Sequence, residues 1–310
     1  MISEIKLATV AVSDLKHSCD FYGRTFDYVI HAEGKVSGAG YEALWQIPAG
    51  MTGAVAVMGP EGATTGLLRL VQFSVPGAQY WGNYETPQNY GHYALNIRVP
   101  EIKATIAGIK ANGGSGKSTP THWTVSPDLS AWDSLSYDPD GTILDCFELE
   151  AAEGSLMADY DGKYSTIQTV AIHSSNAREA ARFYAALGFR PWYDKMLVDM
   201  EDFFKLPKGT ALHNINMVMP GDSTAGRLEI AQYVGFPGVS QRKVAVPPNL
   251  GLLAASMQTT DLEETIKLLL SIGTEPISEV VELEMAGLGR VRSRSYFGPD
   301  DEVLEFFELA

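Results

Sequence analysis

The sequence predicts an α+β protein built from two tandem copies of one domain, and three observations carry that expectation. The first is repetition. The stretch "SYDPDGTILDCFELE" (136–150) returns as "SYFGPDDEVLEFFELA" (295–310), with Pro139 over Pro299 at an offset of 160. "VAVSDLKHSCDFYGRTFDY" (10–28) returns as "IHSSNAREAARFYAALGFRP" (172–191), with Phe21-Tyr22 over Phe183-Tyr184. Blocks 47–73 over 206–233 and 91–106 over 251–266 follow in the same order. The second observation is that each copy itself reads strand, helix, strands, and then reads so again, which makes four modules in all. The third is that strands with one polar-facing side, covered on the other by a helix, form curved sheets.

The elements follow in order. Residues 5–13 alternate as a strand, and Asp14 is an N-cap type that opens a helix. Leu15, Cys19, Tyr22 and Phe26 then fall near one helical face. Strand runs follow around 27–34, 53–59 and 67–73. The second module starts at Gly91 with "HYALNIRV". "PEIKATIAGIKANGG" comes next, with a proline at a helix start and two glycines at its end. Domain 1 is thus expected at 1–150 and domain 2 at 166–310. The polar, unrepeated segment 151–165 between them serves as the linker.

Composition bounds the rest. The chain has 310 residues, 45% hydrophobic and 20% charged, which is enough for two soluble cores. No run approaches the ~18 apolar residues of a membrane span. The N-terminus reads as a strand and not as a signal peptide. Cys19 and Cys146 stand far apart, outside metal-binding spacing, so no disulfide framework is expected and a cytoplasmic setting fits best. A net charge of −15 without clustered Lys and Arg speaks against nucleic acid as a partner.

The motifs "V-x-D-L" before a helix carrying "F-Y", then "GHYALNI", then "DPDG" followed by an acid and "F-E" resemble the vicinal oxygen chelate superfamily. That group holds glyoxalase I, bleomycin-binding proteins and extradiol dioxygenases. The resemblance runs through nearly the whole chain, twice. It implies paired βαβββ modules whose curved mixed sheets surround a funnel, and a divalent metal held by four positions per site. Carried over within each copy, those positions are Leu7, Arg69, His92 and Asp145 in the first and Thr169, Glu229, Leu252 and Glu305 in the second. Neither set makes a metal site.

Glyoxalase-like members often exchange halves, and under that exchange the residues sort. Thr169 and Glu229 join His92 and Asp145, while Leu7, Arg69 and Leu252 join Glu305. The first set is an expected metal site for one Zn²⁺, Ni²⁺, Co²⁺ or Mn²⁺, with no nucleotide or organic cofactor. The second is an Arg–Glu ion pair. A Thr hydroxyl is a poor ligand. His173, four residues beyond Thr169, shares its strand face and is a candidate ligand, substrate contact or proton carrier.

The expected catalytic residues are Asp145, Glu229 and His173. The expected substrate contacts are Trp81, Tyr90, Trp123 and Asn96, since aromatic loops at a funnel mouth suit an apolar or aromatic molecule. Plainer readings stand beside these. His92 could be a strand histidine, Asp145 could pair with a base, Glu229 could face solvent near Arg227, and the aromatics could cap sheet edges.

The implied reaction is isomerisation or lyase chemistry on a small carbonyl substrate. Its oxyanion would be stabilised by the metal, with a carboxylate moving the proton. Two alternatives remain open. One is a metal-free small-molecule binding or resistance protein of the bleomycin-binding type. The other is metal-independent acid–base catalysis in the same funnel. Fusion of two domains within one chain is consistent with a monomer and leaves a homodimer open.

Overall fold

The computed structural model describes residues 1–75, 77–78, 89–126, 129–151, 162–221 and 225–310. Most of the expected linker, and Trp81, lie outside the described residues.

Four modules follow one another. The first comprises β1 (Ile2–Ala11), α1 (Leu15–Phe26), β2 (Val29–Val36), α2 (Ala39–Leu44), β3 (Gly53–Gly59) and β4 (Leu67–Phe73). The second comprises β5 (Gly91–Arg98), α3 (Ile102–Ala111), β6 (Ser115–Gly116), β7 (Thr121–Ser126), β8 (Leu129–Tyr137) and β9 (Ile143–Ala151). In the third are β10 (Thr169–His173), α4 (Ala177–Ala186), β11 (Arg190–Leu197), α5 (Glu201–Phe204), β12 (Ala211–Val218) and β13 (Arg227–Val234). The fourth has β14 (Gly251–Thr259), α6 (Leu262–Ser271), β15 (Val281–Met285), β16 (Gly289–Phe297) and β17 (Val303–Leu309).

The long helices start where side chains accept backbone N–H groups left over at the first turn. Asp14 accepts from His17, Asn176 from Glu179, and Asp261 from Glu264. The cap of α3 is Glu101, so Pro100 precedes the cap and is not the first helical residue.

The modules combine into two half-barrel sheets by exchange. One sheet runs β15-β16-β17-β14-β1-β4-β3-β2, joining the fourth module to the first. The other runs β11-β12-β13-β10-β5-β9-β8-β6, joining the third to the second, with β7 on β8. The central pairs β1–β14 and β10–β5 are antiparallel, while β1–β4, β14–β17, β10–β13 and β5–β9 are parallel. The sheets are therefore mixed.

The largest core lies between the helices and both sheets, including Phe21, Phe26, Tyr184, Phe189, Leu269 and Phe306. Inside the first half-barrel a second cluster fills the space, with Leu7, Trp45, Phe73, Leu253, Leu283 and Phe307. Inside the other the described residues form two smaller clusters, around Tyr93 and Phe203 and around Leu212 and Tyr233. The difference leaves one half-barrel packed and the other hollow.

Candidate functional site in the second half-barrel

Cross-strand register decides which residues meet. On β10, Thr169 pairs with Asn96 of β5, and Asn96 pairs with Asp145 of β9. Glu229 on β13 pairs with Ala171 of β10. Thr169, Asn96, Asp145 and Glu229 all line one cavity of about 300 Å³. Asp133 of β8 joins them. It is opposite Phe147, one diagonal step from Asp145 on the same face. The walls are apolar and aromatic, with Trp123, Phe147, Trp192, Tyr193, Met200 and Phe204.

Polar contacts hold the floor in place. Glu229 accepts from Asn96 Nδ2 at 2.5 Å and from Asn214 Nδ2, and Asn214 Oδ1 accepts from Asn216 at 2.8 Å. Desolvation and the nearby Asp145 push the Glu229 carboxyl up to about 7. Asp133 and Asp145 adjoin, and the hydrogen bond between them favours an ionised Asp133 and a protonated Asp145. Desolvation raises both, and repulsion from Asp133 holds Asp145 well above the carboxylate range. Among the described residues three oxygens on this floor have no hydrogen-bond partner: Asn96 Oδ1, Asp133 Oδ1 and Asp145 Oδ1. Asn96 itself is only 6% exposed.

His92 is not in the funnel. Between Ala171 and Ile172 the β10–β5 register slips by one, so Tyr93 is an extra residue and strand parity reverses beyond it. Tyr93 and Ala94 pack inside the half-barrel. The His92 ring turns to the other sheet, where Nε2 donates to Val303 O at 2.9 Å. The same slip lies between Thr9 and Val10 against β14, and Gly91 and Gly251 both take positive φ, +99° and +115°. The bulge was therefore duplicated with the domain. Burial pushes His92 down to about 4, so its ring is neutral.

His173 also lies outside the cavity wall. Its Nδ1 donates to Asn89 O at 2.9 Å, and its ring packs 4.5 Å from Tyr233 and 5.2 Å from Tyr90. Burial holds it at about 4. Tyr90 stands beside it, its hydroxyl accepting from Gly238 N at 2.7 Å. Of the expected substrate contacts, Trp123 and Asn96 reach the funnel and Tyr90 does not.

These positions test the implied metal. The donors that meet are a hydroxyl, an amide and three carboxyls, with no ring nitrogen. Both Glu229 oxygens accept amide hydrogens, and Asp145 lies against Asp133, whose repulsion and burial hold it well above the carboxylate range. Among the described residues no group of three or more His, Cys, Asp or Glu side chains is disposed to hold a metal ion. The residues present do not fit the imidazole-and-two-carboxylate centre.

In the first half-barrel the corresponding four positions are Leu7, Arg69, Ser256 and Glu305, set by the same registers. Arg69 and Glu305 form an ion pair there, and the Trp45 indole N–H donates to Glu305. That funnel is plugged.

No protein-family model and no curated protein matches the chain. Solved structures do. Glyoxalase I from Zea mays superposes with a TM-score of 0.63 at 15% identity, over 98% of this chain and 92% of that one. A mutant of the same maize enzyme, with one glutamate changed to glutamine, gives a TM-score of 0.66 at 15% identity, over 98% and 93%. The chain has the vicinal oxygen chelate fold. It has this fold in its tandem form, with the modules exchanged between the halves.

Several cavity residues carried no usable signal in the sequence. Asp133 was legible in principle, as a charged residue at the inward parity of "LSAWDSLSY" beside Asp145. Trp192, Tyr193 and Phe204 were not, because their roles depend on how β11 and α5 close over β12.

Proposed function

We propose that this chain binds a small, largely apolar organic molecule in the second half-barrel and moves a proton on it by carboxyl acid–base chemistry. The reaction class is isomerisation or elimination without redox change. The observation that carries this reading is the adjacency of two buried carboxyls, Asp133 and Asp145, on the wall of an aromatic-lined funnel, where burial raises both above the ordinary carboxylate range. A buried carboxyl that keeps its proton near neutral pH serves as a general acid, and its deprotonated neighbour as a base. Glu229, raised to about 7, is the third member and is oriented by Asn96 and Asn214. The likeness to maize glyoxalase I supports the funnel's location through the fold alone.

A second reading is capture without turnover. It is favoured by Glu229, whose two oxygens are both engaged by amides and would have to give up a partner to take a proton from substrate. One experiment separates the two. Aryl-substituted ketones are incubated with the protein in D₂O, and proton NMR follows exchange at the carbon next to the carbonyl. Catalysis predicts exchange that Asp145→Asn abolishes. Saturable binding with no exchange above buffer leaves capture as the function.

A further inference from the structure

Resting on the funnel reading, we propose that the molecule it takes is an organic ammonium: an amine-bearing ligand whose apolar body lies between Trp123 and Trp192 and whose charged nitrogen meets Asp133 and Asp145. The charge balance of the cavity points that way. Three carboxyls line it against one basic side chain among the described lining residues, Arg227, whose guanidinium lies 5.1 Å over the Trp192 ring. A carboxylate or phosphate ligand would meet like charge at the floor.

The hydrogen-bond balance points the same way. Among the described residues Asn96 Oδ1, Asp133 Oδ1 and Asp145 Oδ1 are acceptors without donors, against one unpaired donor on the wall, the Trp123 indole N–H, and a buried acceptor left unpaired costs about 1–3 kcal/mol. An ammonium is the small group that is all donor, with up to three N–H to give. Above the floor, aromatic faces hold a cation and its hydrocarbon equally well. A bare metal ion suits the floor less, because the carboxyls do not converge on one ion-sized point and an apolar wall gives a hydrated ion nothing.

Calorimetric titration of the full chain tests this with matched phenyl and naphthyl probes carrying a methylammonium, a hydroxymethyl or a carboxylate group. Mg²⁺, Ca²⁺ and Zn²⁺ alone serve as further probes. The ammonium is expected to bind at least tenfold more tightly than its matching alcohol, and the carboxylate most weakly. Asp133→Asn with Asp145→Asn should erase the ammonium's advantage over its matching alcohol. If that double variant does not fold, Glu229→Gln should still reduce the advantage. The proposal is overturned if alcohol or carboxylate binds as well as ammonium, if the preference survives the substitutions, or if a metal ion alone saturates the site and excludes the ammonium. Alcohol binding that is lost in Trp192→Ala, with no gain for ammonium, keeps the funnel reading and ends this one. No saturable binding by any probe ends both.

Discussion

Arg69 and Glu305 lie 2.5 Å apart with both side chains fully buried, on strands from opposite halves of the chain. They occupy the places that Glu229 and Asp145 hold in the other half-barrel. Thr9 accepts from the guanidinium at 2.6 and 2.9 Å, and the guanidinium donates to Ser256 at 3.2 Å. Ser256 donates to Glu305 at 2.6 Å, and Trp45 lies 5.1 Å beneath the cation. One duplicated site has become a structural plug and the other has stayed open.

Breaking that plug should be costly. Arg69→Met leaves a buried carboxylate without its partner, which costs about 3–5 kcal/mol in comparable cases. Pairing it with Glu305→Leu should recover most of the loss, because the apolar cluster around them can accept both side chains. Denaturant unfolding of the two single variants and the double variant measures this. Equal loss in the double and single variants would contradict it.

Two glycines clasp the halves together. Gly66 N donates to Ile5 O at 3.2 Å while Ile167 N donates to Gly66 O at 2.8 Å, and Gly226 mirrors this with Ile5 and Ile167. Both have φ of +65°, and an added Cβ would run into the Ile167 carbonyl or the Ile5 carbonyl. Gly66→Ala and Gly226→Ala should each lower stability by about 2 kcal/mol or more, through strain and the displaced clasp. Thermal unfolding is the readout, and a change within about 0.5 kcal/mol would show that the clasp yields freely.

His92 is expected to be structural. His92→Gln should cost about 1–2 kcal/mol through the lost bond to Val303 O, and ligand affinity in the funnel should stay within twofold. A metal-binding role for His92 predicts the reverse, with stability little changed and binding abolished. Parallel calorimetry and thermal melts decide between them.

The buried carboxyls set a pH dependence. Glu229 at about 7 and Glu302 at about 8 lie above their unfolded values, so their contribution is complete below about 4 and is lost as pH rises through 7 and 8. His92 and His173, held at about 4, contribute stability that is lost as pH falls from about 6.5 toward 4. Between about pH 7.5 and 8.5 the histidines contribute little and the buried carboxyls dominate, joined towards the upper end by the raised Cys19 and Cys146 thiols. Stability should therefore fall across that window. Asp145→Asn should flatten the slope and raise stability at pH 8 by about 1–3 kcal/mol, with Asp133 and Glu229 the charged groups that act with it. A slope unchanged by the substitution would contradict a floor of mutually raised carboxyls.

Much of this was legible in the sequence because duplication converts one-dimensional spacing into three-dimensional pairing. Arg69 with Glu305, and Glu229 with Asp145, could be sorted as soon as the halves were exchanged. His92 could not, because one extra residue on β5 reverses strand parity. A bulge is marked in the sequence only by Gly91, whose positive φ is invisible there. Thr169 gained a site position and no ligand chemistry. His173 followed the correct face, yet its ring is stacked behind Tyr233.

The most direct measurement is a carboxyl-carbon NMR titration of Glu229 in the parent protein and in Asp145→Asn. Asp145 comes from the second module and Glu229 from the third, so they can influence each other only where the two halves meet. The exchanged-sheet funnel predicts a Glu229 midpoint near 7 that drops clearly when Asp145 loses its charge. A Glu229 carboxyl titrating in the ordinary range, indifferent to residue 145, would contradict the account.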